Sequence, residues 1–181
     1  MTKLRVARAY RRVKRPLTRH SKLRAQDYVK GAPYPKVAQY DMGELTRRNF
    51  SFELQILATK SVQLRDVALE AGRQAAVRYL DLNAKGGWTM KVRAVPHHIT
   101  REKPLATGAG ADRFQQGMTL SYGQPAGHAA QVKAGKVIYS FYFDREKLDF
   151  MKEAARKAVS KLPIHCRIKV IDLKTCKEVT F

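Results

Sequence analysis

Acidic residues are scarce in this chain of 181 residues: 15 Asp and Glu stand against 36 Lys and Arg, for a formal charge of +21 and a pI near 10.3. Self-repulsion of that size costs a compact state, so the composition makes sense beside a polyanion whose released counterions drive binding. Cysteine is nearly absent too. Cys166 and Cys176 lie ten residues apart without a CxxC pairing, and with His165 they give three candidate ligands in this region where a structural zinc site needs four close ones. They read as free thiols in a reducing compartment. No apolar run of transmembrane length and no strongly amphipathic basic helix is found, so a membrane partner is set aside. The basic N-terminus lacks the apolar stretch of a secretory signal, and Pro16 interrupts the helix an organellar transit peptide would need.

Chemistry-bearing motifs are missing as well. The chain has no Gly-Lys-Ser/Thr phosphate loop, no GxSxG elbow, no HExxH and no paired-carboxylate motif, and most of its few acids fall on expected helices. No catalytic residue, metal site or cofactor is therefore assigned, and an enzyme is not expected.

What is present begins with residues 1–36, read as an extended basic arm. Twelve cations stand there against the single acid Asp27, which puts about half of the net charge in the first fifth of the chain. Arg5, Arg8, Arg11, Arg12, Lys14, Arg15, Arg19, Lys22, Arg24, Lys30 and Lys36 are the candidate RNA-binding cations. Tyr10, Tyr28, Tyr34 and His20 are interleaved with them, and Pro16, Pro33 and Pro35 favour an extended path. Such a segment can order along RNA, with cations on phosphates and rings or guanidinium planes on bases. The plainer reading is a solvated, disordered tail.

Residues 37–181 are expected to form one α+β domain, two helices packed on a mixed sheet. Phe52, Leu54, Ile56 and Ala58 alternate with polar neighbours as a half-buried strand. A helix is expected from Ser61, as N-cap, to Leu82, with Leu64, Ala68, Ala71, Ala75 and Tyr79 as its apolar stripe and small residues that let it approach a sheet. Trp88, Met90, Val92 and Ala94 alternate as a second strand before Pro96. His97 and His98, adjacent in an extended chain, point apart and are not joint metal ligands. Leu120–Tyr122 and Ala129–Lys133 read as small strands separated by turns at Gly123, Pro125 and Gly127. Val137 to Phe143 is apolar on nearly both faces and should be central. Asp144 is placed to cap a helix with Leu148, Met151, Ala155, Ala158, Val159 and Leu162 in one stripe, and Cys166 to Leu173 forms a last strand with a basic face.

Lys103 to Met118 has no hydrophobic period and reads as a projecting loop. Arg101, Lys103 and Arg113 offer charge, and Thr107, Gly108, Ala109, Gly110 and Ala111 let the backbone approach RNA closely. Gly108, Ala109 and Gly110 begin a dinucleotide fingerprint, but Arg113 occupies the place of the third glycine, and the fingerprint fails. Asp112 reads as pairing with Arg113 or capping a short turn in preference to general-base work.

The run Ala109-Gly110-Ala111-Asp112-Arg113 followed by Gly117-Met118 resembles the AGADR…GM signature of the L-ten-e ribosomal proteins, the archaeal and eukaryotic branch of the universal L-sixteen family. The resemblance extends through Ala9-Tyr10-Arg11, Pro16 to Arg19, Gly31-Ala32-Pro33 with Lys36, Leu69-Glu70-Ala71 with Arg73, Arg78-Tyr79, and Gly127 to Gly135. It implies an α/β-hammerhead-like fold and a cytoplasmic, ribosome-bound protein at the base of the central protuberance. The implied partners are large-subunit rRNA, A-site tRNA and neighbouring ribosomal proteins, with the central loop directed toward the peptidyl transferase region. No membrane or small-molecule substrate is implied. Ala9 stands where members usually carry Cys before the tyrosine, and the end at Phe181, without the longer extension of eukaryotic members, is what the archaeal branch would show. Two alternatives share parts of the pattern: an architectural nucleic-acid-binding protein shares the charge and the arm, and an RNA-modifying enzyme shares the loop.

Overall fold

The computed structural model describes residues 4–13, 29, 31–47, 49–103, 108–114 and 123–179. In chain order they form β1 (Asp41–Gly43), β2 (Phe52–Ala58), β3 (Val62–Arg65), α1 (Asp66–Asn83), β4 (Trp88–Val92), β5 (His98–Glu102), β6 (Gln124–Val132), β7 (Val137–Phe143), α2 (Leu148–Ser160), β8 (Cys166–Asp172) and β9 (Glu178–Val179). The α+β class holds. The strands form two sheets, a large one in the order β1-β4-β7-β2-β8-β9 and a small one in the order β3-β6-β5, and every ladder among the described residues is antiparallel.

Strand β7 is central because both of its faces resist water. Tyr139, Phe141 and Phe143 are fully buried toward the helices, and Ile138 and Ser140 are buried on the other face. Burying each such aromatic contributes on the order of 1.5–3 kcal/mol. Leu54 and Ile56 of β2 and Met90 and Val92 of β4 join them under Leu69, Ala76 and Leu80 of α1 and Met151, Ala154, Ala155 and Ala158 of α2. The tightest approach is at Gly72 of α1. A Cβ there would lie 2.7 Å from the Tyr139 hydroxyl and 3.3 Å from the Ala158 carbonyl oxygen. The same hydroxyl donates to the Leu69 carbonyl at 2.7 Å, so the helix is bonded to the sheet where it comes nearest.

Helix α1 differs from the expected one in start and in face. Residues Val62–Arg65 are strand, Ser61 Oγ accepts from the Ala134 amide, and the helix begins at Asp66 without a side-chain cap. The β-branched and aliphatic Val62 and Leu64 are spent on the small sheet, where alternation decides. The buried stripe is accordingly Asp66, Leu69, Gly72, Ala76 and Leu80, one position on from that expected. Asp144 makes no capping hydrogen bond either; its carboxylate instead receives Arg47 at 2.6 Å and Ser51 at 3.2 Å.

Pro125 and Gly127 lie within β6, not in turns between short strands. The ladder to β5 shifts between Thr100 and Arg101, pairing Thr100 with Gly127 and Arg101 with Pro125, and this bulge is where a strand accommodates proline. Leu120–Tyr122 lies outside the described residues. Strands β1, β5 and β9 carry too few apolar residues to announce themselves.

Replacing Gly72 with Ala tests the close approach. Overpacking costs about 1–3 kcal/mol, against about 1 kcal/mol regained from helix propensity, so the denaturant midpoint should fall. A raised midpoint would mean that Tyr139 yields its place.

Candidate nucleic-acid interface

The arm and the central loop meet on the small sheet. Residues 103–123 connect β5 to β6, whose ladder ends at Glu102 opposite Gln124, so the loop is the long end of a hairpin. Arg101 donates from Nη1 to the Gly123 carbonyl at 3.1 Å, tying the two ends of the loop together. Beyond the root, Ala111–Phe114 forms a 3-10 turn, with Ala111 N donating to Gly108 O and Arg113 N to Gly110 O. Gly110, at φ +80°, supplies the left-handed residue that enters it. The loop is thus not bare of structure as its composition suggests: the AGADR run is itself a turn, and it leaves Gly108, Ala109 and Arg113 exposed.

Residues 4–13 lie across one face of the same sheet. The Gln63 amide donates to Arg11 O at 2.9 Å and its side chain to Tyr10 O at 3.1 Å, while Arg65 Nη1 donates to Arg5 O at 2.7 Å. Tyr10 reaches the opposite strand. Its hydroxyl donates to Glu102 Oε1 at 2.6 Å and lies 3.3 Å from the Arg101 carbonyl oxygen, at the loop root. Burial, reinforced by the Glu102 carboxylate, pushes the Tyr10 phenol well above its ordinary value, so it remains a donor at every physiological pH. The guanidinium carbons of Arg5 and Arg65 each stand 5.9 Å from the ring centre. Tyr10 is therefore a strap and not a free stacking ring, whereas Tyr34 is 92% exposed.

Residues 31–38 take the other side. His128 Nε2 lies 2.5 Å from Pro33 O, the Lys36 amide donates to Asp66 Oδ2 at 3.0 Å, and the Ala38 amide to Glu70 Oε2 at 3.2 Å. Glu70 also takes Arg73 at 2.5 and 2.8 Å, and this bond holds its carboxyl below the usual carboxylate range. Acids at the start of α1 suit the helix dipole and leave the arm's own cations unneutralised.

Of the cations expected to bind, Arg5, Arg8, Arg11, Arg12 and Lys36 are exposed on this docked path, and Arg113 is exposed on the loop turn. Arg101 and Lys103 are half-buried at the loop root, where Arg101 acts as a clamp. Lys14, Arg15, Arg19, Lys22, Arg24, Lys30 and Thr107 lie outside the described residues, as does the side chain of Asp112. Residues that sequence reasoning missed are Glu102, Gln63, Asp66 and Glu70, polar groups whose partners are far away in the chain. Burial pushes the Cys166 thiol up to about 11, which makes it a poor nucleophile and metal ligand at neutral pH. Among the described residues no group of three or more His, Cys, Asp or Glu comes together that could hold a metal ion.

The family model described as Ribosomal protein L16p/L10e matches residues 13–169, most of the chain. This chain belongs to that family. The protein named large ribosomal subunit protein uL16 from Pyrobaculum calidifontis is 42% identical over 171 residues, covering 92% of this chain and 93% of that one. Its counterpart of the same name from Archaeoglobus fulgidus is 41% identical over 165 residues, covering 91% of each chain. That of Nanoarchaeum equitans is 38% identical over 182 residues and covers 98% of each. The L16p/L10e match takes in both the loop and the arm residues 31–38 that dock beside the small sheet.

Two measurements check the straps. Tyr10→Phe removes one hydrogen bond to a carboxylate, about 1.5–3 kcal/mol, and should speed amide exchange at Glu102 and Lys103 without changing exchange in α2; unchanged exchange at the loop root would show that Tyr10 does not hold it. Glu70, whose carboxyl is depressed in the fold, stabilises fully above its unfolded value of about 4.3 and progressively less as pH falls below it. Glu70→Gln should therefore lower the melting temperature at pH near 7 and flatten its decline on acidification, and a variant that kept the parental acid profile would remove Glu70 from this role.

Proposed function

We propose that this chain is a structural constituent of the large ribosomal subunit, in which the basic arm binds large-subunit rRNA and the 103–118 loop faces the A-site tRNA and the peptidyl transferase region. The observation that carries this reading is the common mounting of arm and loop on the small sheet through Tyr10, Gln63 and Arg101. Exposed arginines neutralise phosphates and position the chain without reading much sequence, as recognition of A-form RNA by backbone and shape requires. The turn at Ala111–Phe114, entered through the small residues Gly108 to Gly110 and carrying the exposed Arg113, brings backbone and one cation close to RNA in a crowded site. The role is to hold geometry for chemistry done by RNA, with no catalytic residue of its own. Neighbouring ribosomal proteins and a cytoplasmic, ribosome-bound location belong to the same reading.

The division of labour is testable by deletion. Shortening Ala106 to Ala111 should leave the protein on large subunits in sedimentation but impair tRNA accommodation, whereas removing Met1 to Lys22 should strongly reduce incorporation. Loss of incorporation on shortening the loop would make it an anchor. With isolated rRNA, on the order of 6–10 phosphate contacts should cost roughly 10³–10⁵ in affinity between 50 and 200 mM salt, and a flat response would count against phosphate-led binding.

A further inference from the structure

Both helices cover the same face of the large sheet, and the residues between the buried ones point the other way. On that second face the strand registers place Lys91 of β4, Ser140 of β7, Gln55 of β2 and Lys169 of β8 in one row. Three strand spacings separate the two lysines, roughly 14 Å. Arg93, just past β4 and exposed, reaches over this row: its Nε donates to Ser140 Oγ at 3.3 Å and its Nη2 to Tyr142 Oη at 2.6 Å. The guanidinium is pinned by neutral hydroxyls, and no carboxylate lies within ion-pair distance of it among the described residues.

We propose that this face is a second RNA-docking surface, where an unpaired base stacks on the Arg93 guanidinium and the flanking phosphates meet Lys91 and Lys169. A pinned guanidinium is preorganised for stacking, which RNA recognition uses as readily as an aromatic ring. The acids on this face do not cancel it. Asp41 stands 3.8 Å from Lys91, both largely exposed, and Glu178 is shared by Lys169 at 2.7 Å and Arg167 at 3.4 Å. Exposed pairs of that kind contribute about 0–1 kcal/mol, so a phosphate can displace them. Glu53, in the adjoining row opposite Tyr142, is buried and acts on the Tyr142 hydroxyl, and it makes no ion pair with Arg93. An acidic protein strand fits less well. It would add to an open sheet edge, whereas this row lies in mid-sheet, where ladders already use the main-chain groups.

The proposal rests on the ribosomal reading only for the class of ligand, and the test separates the two. Full-length protein is titrated with a short single-stranded oligoadenylate, comparing the parent, Arg93→Ala, Arg93→Lys and an arm variant carrying Arg8→Ala with Arg12→Ala. Stacking of one base corresponds to about a tenfold loss for Arg93→Ala. Arg93→Lys should lose most of that affinity with its salt dependence unchanged, because charge is kept and the plane is not. The arm variant should instead show a shallower salt slope. Arm effects with parental binding by both Arg93 variants would overturn this surface and leave the arm's RNA-binding role standing; parental binding by all three would overturn this surface and the arm's role together. Independently of any effect of Arg93 on folding, benzoylphenylalanine in place of Gln55 in assembled large subunits should crosslink to RNA, and crosslinks to protein alone would overturn the proposal.

Discussion

The contact on which the rest of the molecule depends is that of α1 with β7 at Gly72 and Tyr139. With no side chain at 72, the helix settles until the Tyr139 hydroxyl bonds the Leu69 carbonyl and the Ala158 carbonyl of α2 stands nearby. The start of the helix so anchored carries Asp66, and the following turn Glu70, to the backbone of residues 36–38. The strand immediately before α1 is the edge of the small sheet, so the same contact also places the platform that bears the arm and the loop.

A chain with so few acids places several of them where they hold the arm and the loop root. Asp66 and Glu70 accept main-chain amides, Glu102 accepts the Tyr10 hydroxyl, and Asp144 accepts Arg47 and Ser51 away from the arm. The arm is thereby fixed in place while its own guanidinium groups at Arg8, Arg11 and Arg12 stay exposed. A charge-matched alternative, with acids paired to those arginines, would stabilise the free protein and weaken its hold on a polyanion. Tyr10 shows the same economy: a ring that could have stacked on a base joins arm to loop root instead.

Several elements were legible because burial alone decides them. The alternation in Phe52–Ala58, Trp88–Val92 and Cys166–Asp172 and the two-sided apolar run Val137–Phe143 gave strands at the expected places, with β7 central as expected. The small residues of α1 rightly point to a close approach, yet the buried face stands one position on from the expected one, because Val62–Arg65 is strand and the helix begins only at Asp66. Helical and strand periods overlap over four residues, and only pairing with β6 resolves them. Pro125 and Gly127 misled for a related reason: a bulge lets a strand keep residues that ordinarily break it.

Sequence by itself determined the charge, the α+β class and, through the AGADR run together with the other matching motifs along the chain, the family. These depend on composition, on local periodicity and on short motifs, all of which survive without knowledge of what lies across the fold. Tertiary structure decided that arm and loop share one sheet, that Tyr10 is a strap and that Arg93 lies pinned over Ser140 and Tyr142. Each of these is a polar contact between residues more than 45 positions apart, and a polar residue's partner is set by the register of strands it does not belong to.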